Sequence, residues 1–422
     1  MIERTVTIRA RSATGYFRAR SATNDSRARS AIRTLPVVAP PAAPLARRAT
    51  PLPAAALLAL SVLSLAALCF LQRVPMADAL VYRAEGAAVA GGGDLYGFTV
   101  TEWRLPATYP PFAALLFVPT TWLPVGIMKA LFVAANIALT ALLVRLSCRL
   151  AGLPARGALV CAATSGALWL EPVFQTVVFG QINLALICLV LWDLTRPPGA
   201  LGKGFALGVA VGVKLTPAVF IIYLLLTRRV REAVVASAAF VGTVLLGALV
   251  LPAASVEFWT RRLYETGRVG KAWIVDNQSL QGLIARLTGD PAPGLVWLLP
   301  ALAVAATGLW LAQRAHRAHP ARHPEAHGVL LAAGTALLVS PISWSHHWVW
   351  CVPLLALLVA QGHRWWAAGV AAVFAARSLW LVPHQGDLDL HVPWWQQPLA
   401  SPYPLLALAL LATAVPWARR LR

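Results

Sequence analysis

Three side chains in the stretch MADALVYRAEGAAVAGGGDLYGF (76–98) raise the first chemical question: Asp78, Tyr82 and Glu85. They stand at i, i+4 and i+7, so a short helix would carry all three on one face, and Gly91, Gly92 and Gly93 would end it. A carboxylate held in a partly dry cavity titrates high and can take the proton of an attacking hydroxyl as a general base. A solvated loop acid or a helix cap satisfies the same spacing, so the pattern alone leaves both readings open.

Further polar groups stand inside apolar runs. Gln181 and Asn183 lie in FGQINLAL, and Lys214 lies in GVKLTP. An ionisable group at membrane depth is costly and by default marks function; Lys214 could neutralise an anionic headgroup such as a phosphate. The two amides fit either substrate contact or interhelical hydrogen bonding, which is worth about 0.6 kcal/mol each. Arg377 is a second basic group in an apolar run. In the segment 257–287, Asn277 and Gln278 follow a cluster of basic and aromatic residues, a composition that suits sugar hydroxyls and ring faces and equally a solvated amphipathic loop. Residues 340–350, SPISWSHHWVW, place His346 and His347 beside Trp344, Trp348 and Trp350. A metal site would need further ligands, and no HExxH-type spacing is present. Phosphate recognition needs only N–H donors in a low-dielectric pocket, while an interfacial aromatic belt would explain the same residues without a site.

The elements that must position these groups follow from composition. The chain has 422 residues, 59% hydrophobic and only 12% charged, against about 25% charged in a soluble domain. Near-spanning apolar blocks recur along most of it, and continuous Leu/Ala/Val runs exclude the alternating segments of a β-barrel. The class is an all-α polytopic membrane protein. Of the net charge of +20, the first fifty residues carry +8 and most of the other basic groups sit in short loops between apolar blocks, as the positive-inside rule requires, and no folded basic face with interleaved aromatics points to nucleic acid. Cys69, Cys148, Cys161, Cys188 and Cys351 lie in or beside apolar segments without metal-type spacing and read as core residues.

Residues 1–50 hold ten arginines against Glu3 and Asp25, and they read as a disordered basic cytosolic tail preceding a membrane domain at 51–422. With that tail inside, the first span carries the chain outward, and Asp78, the DNQSL loop and the two histidines fall on the outer side. The proline-rich block 107–122 reads as re-entrant, because another span there would break the parity. The block 203–227 is split at Lys214-Leu215-Thr216-Pro217 into halves of roughly 17 Å, too short for a 30 Å core, and broken helices of this kind line cavities. The map has about ten or eleven crossings, both termini cytosolic, with external loops carrying short surface helices.

In order along the chain, Asp78, LY (95–96), TYPPF (108–112), GQINL (180–184), GVKLTP (212–217), DNQSL (276–280) and SPISWSHHWVW resemble glycosyltransferase family 87 from about residue 54 to 418. The resemblance implies a GT-C-type transmembrane bundle at the plasma membrane. It further implies transfer of a mannosyl unit from a polyprenyl-phosphate-mannose donor to a lipid-anchored mannoside on the outer face, with inversion. Matched by position, Asp78 would be the general base. His346, His347 and Lys214 are candidates for the donor phosphate, and Tyr82, Glu85, Tyr109, Gln181, Asn183, Asn277, Gln278 and Trp344 for substrate contacts. The donor lipid would be a substrate, with no separate cofactor and no metal. A polyprenyl-phosphate-arabinose-dependent arabinofuranosyltransferase is the alternative within the family. A lipid-linked sugar flippase is the alternative outside it, although the paired broken helices of a transporter are not matched in the other half of the sequence.

Overall fold

A computed structural model describes residues 51–318 and 324–419; the basic tail 1–50 lies outside the described residues. The uncharged run after Pro51 forms α1 (Pro51–Leu71) and the surface helix α2 (Ala77–Gly91) follows, closed by Gly92 in the left-handed conformation as the triple glycine predicts. A two-residue hairpin pairs Thr99 with Pro106. Next come α3 (Pro111–Phe117), which runs into a 3₁₀ turn (Val118–Trp122), and the long α4 (Val125–Leu150). Pro172 in the first turn of α6 breaks the run between α5 (Gly157–Ala167) and α6 (Glu171–Phe179), which meet at 76°. Then follow α7 (Asn183–Leu194), α8 (Phe205–Val213), α9 (Val219–Leu226), α10 (Val230–Val250), α11 (Pro252–Thr260), α12 (Leu280–Thr288), α13 (Gly294–Arg317) and α14 (Pro324–Val339). The chain ends in α15 (Cys351–Ala360), α16 (Arg364–Ala375), α17 (Gln397–Ala400) and α18 (Pro402–Arg419).

Among the described residues four helices are long and apolar enough to cross a bilayer, and six spans result if each bent pair counts as one. The ten or eleven expected crossings drew on runs that the structure divides at proline and glycine. At twelve residues, α7 covers about 18 Å, short of the hydrocarbon core. The expected split at GVKLTP is present: α8 stops at Val213 and Lys214 is extended (φ −149°, ψ 128°). Pro217 cannot donate the N–H that would close the turn onto Val213. Arg377, expected within a span, instead follows the end of α16 at φ 52° and stacks 3.9 Å above the Phe174 ring.

The core is the interior of the bundle, where Leu143, Leu184, Leu191, Leu207, Leu224 and Leu338 are fully buried. At one end of the bundle, charges tie helix termini together. Asp193 accepts from the backbone N–H groups of Gly204 and Leu207 at the start of α8, and Glu325 binds Arg229 at 2.6 Å and His316 at 3.1 Å. The start of α7, the break after α8 and the end of α14 gather at the opposite end, where the polar candidates lie.

There the DNQSL loop is built around Arg286, a buried side chain on α12. Its guanidinium donates to the carbonyls of Trp273, Ile274 and Asn277 and to Ser401 Oγ. Lipid surroundings give little hydrophobic drive between helices, so such polar contacts weigh more in holding loops and helices together. Replacing Arg286 by leucine leaves these carbonyls unpaired and should destabilise the protein by about 3 kcal/mol. Thermal unfolding in detergent would show it, and an unchanged midpoint would refute the role.

Candidate active site

The site is assembled where α2 meets the turn between α6 and α7. Gly180 in that turn has φ +68°, and a Cβ there would come 2.7 Å from that of Ala79. Only glycine lets the turn approach α2 closely enough to set Gln181 against Tyr82. The Tyr82 hydroxyl donates to Gln181 Oε1 at 2.8 Å and lies 3.0 Å from the Tyr109 hydroxyl, which itself reaches Gln181 Oε1 at 3.4 Å. Tyr96 Oη in turn donates to the Tyr109 carbonyl at 2.9 Å. Beside this buried layer lies Asp78, in the first turn of α2 and partly accessible. Burial, with a smaller contribution from Asp276, pushes its carboxyl up to about 6 against the downward pull of the Gln181 amide and of Lys214.

Lys214, at the helix break, supplies the cation. Its Nζ stands 2.9 Å from His347 Nε2, donates to Asn183 Oδ1 at 3.2 Å and lies 5.6 Å from the centre of the Tyr109 ring. Asn183 donates through Nδ2 to the His346 carbonyl at 3.2 Å, which Thr176 also reaches. From Lys214 and His347 a groove runs between α7, α9 and α14, lined by Leu186, Ile187, Phe220, Ala333 and Ala336.

The other expected residues fall elsewhere. His346 is 3% exposed and turns its ring edge-on to Phe179 and His347; both ring nitrogens lack a hydrogen-bond partner. It therefore backs His347 and does not line the groove. Glu85, expected among substrate contacts, is 1% exposed beneath the 108–109 backbone. Asn277 and Gln278, expected to meet sugar hydroxyls, are spent on the fold. Asn277 donates to the Ala272 and Pro341 carbonyls and accepts from the Ser279 and Ser343 N–H groups. Gln278 donates to Val275 and Ala400 and accepts from Tyr403. Their wealth of backbone partners was invisible in a composition that suits sugars equally well. Trp344 is half-buried, its backbone bridged to Asn277.

Two acids that sequence reasoning passed over matter here. Asp276 accepts from the Ser345 N–H through Oδ1 at 3.2 Å and remains partly accessible on the side of Asp78. Glu171, fully buried, accepts from Tyr403 Oη at 2.7 Å and Trp380 Nε1 at 3.3 Å. It fastens α18 and the 378–381 turn to α6. An acid in the apolar run 157–179 was the available signal for Glu171.

The residues that keep some access are thus Asp78, Asp276, Lys214, His347 and Trp344, and of these Lys214 and His347 line the apolar groove. A cluster of carboxylates and a cation within a polytopic helical bundle suits a membrane enzyme, and the comparisons give its class. Residues 107–341 match glycosyltransferase family 87, and the chain belongs to that family. It is 34% identical over 351 residues, 78% of this chain and 81% of the relative, to the polyprenol-phosphate-mannose-dependent alpha-(1-2)-phosphatidylinositol mannoside mannosyltransferase of Mycobacterium tuberculosis. It is also 34% identical over 371 residues, 81% of this chain and 84% of the relative, to the enzyme of that name from Mycolicibacterium smegmatis. A pentamannoside mannosyltransferase of Mycobacterium tuberculosis is 37% identical over 288 residues, covering 67% of this chain and 66% of that one. Among solved structures, ArnT from Cupriavidus metallidurans bound to undecaprenyl phosphate aligns over 83% of this chain and 76% of its own, at 18% identity and a TM-score of 0.39. The family match ends before His346 and begins after Asp78, so both flanks of the site lie outside it.

Burial pushes the Glu85 carboxyl up to about 8, against the backbone N–H groups of Thr108 and Tyr109. A folded value above the unfolded one means that the folded state holds the proton more tightly. Stability from this group is therefore full below about pH 4.5 and falls as pH rises towards 8. Glu85→Gln should remove this slope and gain ~5 kcal/mol relative to wild type at pH 9. Melting curves from pH 5 to 9 measure it, and parallel curves for the two proteins would contradict the assignment.

Proposed function

We propose that this protein transfers a mannosyl unit from a polyprenyl-phosphate-mannose donor to a phosphatidylinositol mannoside or closely similar lipid-anchored mannoside, on the outer face of the plasma membrane. The observation that carries the reading is that Asp78 stands close enough to Lys214 to feel its charge, while Lys214 and His347 pair at 2.9 Å and line an apolar groove. A lipid phosphate fits at Lys214 and His347, with its first apolar units in the groove and the sugar directed towards Asp78. The names of the mycobacterial relatives support mannose over arabinose and the phosphatidylinositol mannoside acceptor. The positive-inside rule applied to the arginine-rich tail puts Asp78 on the outer side of α1.

The reaction is a single displacement. The acceptor hydroxyl oxygen attacks the anomeric carbon as its proton passes to Asp78, and the bond from that carbon to the phosphate oxygen breaks with inversion of a β-linked donor to an α-linked product. The departing polyprenyl phosphate gains charge, which the Lys214 ammonium and an N–H of His347 stabilise where it develops. A phosphate leaves without needing a proton, so no general acid is required. Tyr82, Tyr109 and Gln181 hold the base in place from beneath. Asp276 and Trp344 are left at the rim for sugar hydroxyls and ring faces.

Purified protein in detergent or vesicles, given radiolabelled polyprenyl-phosphate mannose and a phosphatidylinositol mannoside, should yield an acceptor longer by one mannose. Absence of transfer with that pair, or transfer of arabinose instead, would defeat the reading. Asp78→Asn should lower kcat by on the order of 10²–10⁴ while both lipids still bind; normal turnover would remove Asp78 as base. The base works only when ionised, so kcat/KM should rise with pH through about 6, the value set chiefly by burial of Asp78, and level off above it. A pH–rate profile flat from 5 to 8 would exclude that role.

A further inference from the structure

A second apolar space lies between α14, α15 and α18. It encloses about 440 Å³ and is walled by leucines, among them Leu330, Leu354, Leu358 and Leu410. One end reaches Trp348 and Trp350, just beyond His347 in the chain; the other is lined by His327, Gln361 and His363, where His327 Nε2 and Gln361 Nε2 are 2.7 Å apart. From Trp350 to Gln361 the chain covers roughly 16 Å of helix. Leu337 and Trp350 belong to the walls of both this chamber and the groove that starts at Lys214 and His347. The two spaces therefore adjoin across one leucine and one indole.

The chemistry of the chamber narrows its occupant. Its leucine walls offer water no hydrogen bonds, and an apolar cavity of this kind stays dry or takes a hydrocarbon. For a chain whose phosphate is held at Lys214, passing Leu337 and Trp350 would lead into this apolar volume next. The polar end at His327, Gln361 and His363 gives an isoprenoid nothing to bind and bounds how deep it goes.

Resting on the donor reading above, we propose that the chamber between α14, α15 and α18 takes isoprene units of the donor's polyprenyl chain lying beyond the first groove, so that the enzyme selects long-chain polyprenyl phosphates. The occupant is the donor chain and not an acyl chain of the acceptor.

Gly334 provides the test. It lines the chamber, and a Cβ built on it meets no atom within 4 Å, so a side chain there enters open space. Gly334→Leu should fill part of the chamber and lower kcat/KM for a long-chain mannosyl donor about tenfold. The efficiency with a two-isoprene donor and the KM for the acceptor should be unchanged, and Gly334→Ala should show a smaller loss of the same selectivity. Equal losses with long and short donors, or no loss with either, would overturn the proposal. A raised acceptor KM would assign the chamber to the acceptor and overturn it as well. A second measurement uses wild-type protein and needs no transfer: polyprenyl phosphate carrying a mid-chain diazirine is photolysed on the protein and the labelled peptides are mapped. Label on α14, α15 or α18 supports the proposal, and label confined to other helices refutes it. A protein that labels there yet transfers no mannose would defeat the donor-sugar reading alone.

Discussion

The ammonium of Lys214, 2.9 Å from His347 Nε2, 3.2 Å from Asn183 Oδ1 and over the Tyr109 ring, joins four segments that are far apart in sequence. A cation at the lip of a membrane bundle is tolerated only where partners and a polar cavity meet it. Satisfying it draws the start of α7, the break after α8, the TYPPF segment and the turn before α15 to one point. It also sets the state of His347. An ammonium has only donors, so Nε2 must accept and the ring proton sits on Nδ1. The break at Pro217 is what frees Lys214 from the helix, since a continuous helix would have kept its backbone in the ladder and turned the side chain with the local helical face.

Around that cation the polar residues sort into two tiers. Tyr82, Tyr109, Gln181, Asn183 and His346 are buried, whereas Asp78, Asp276, Lys214 and His347 keep some access. In the buried tier the two tyrosines and the two amides are held by side-chain hydrogen bonds, and the accessible tier keeps polar atoms exposed. This division follows from the surroundings. Hydrophobic burial cannot hold helices in register within lipid, so the specific positions at the site come from satisfied polar contacts such as those of Arg286, Glu171 and Asn277. The same contacts make a half-satisfied network costly, which leaves little freedom for drift of the base relative to the cation.

Much of this was legible in the sequence where a local rule governs. The surface helix with its glycine stop, the break at GVKLTP and the helical class depend on neighbours along the chain, and those neighbours are visible. The partners of Asn277, Gln278 and Glu85 were not, because what they bind arrives from segments remote in sequence. An amide that holds a backbone and an amide that reads a sugar have the same composition around them. His346 and His347 differ in role although they are adjacent, since a 3₁₀ turn points successive side chains in different directions, one inward against Phe179 and one towards Lys214. The breaks that divide the apolar runs depend on tertiary packing, so four long apolar helices, two bent pairs and several shorter ones stand among the described residues where apolar length alone gave ten or eleven crossings.

The orientation of Gln181 sets the surroundings of Asp78. Its Oε1 is taken by the Tyr82 hydroxyl, with the Tyr109 hydroxyl also in reach, so its amide N–H groups are the ones that turn to Asp78. A donor there favours the carboxylate, whereas burial and the nearby Asp276 favour the protonated acid. The opposed influences leave the Asp78 carboxyl near 6, above the usual carboxylate range. A direct ion pair with Lys214 would have lowered it much further. Interposing a neutral amide, itself aimed by two tyrosines, lets a raised carboxyl and a cation stand near one another without pairing.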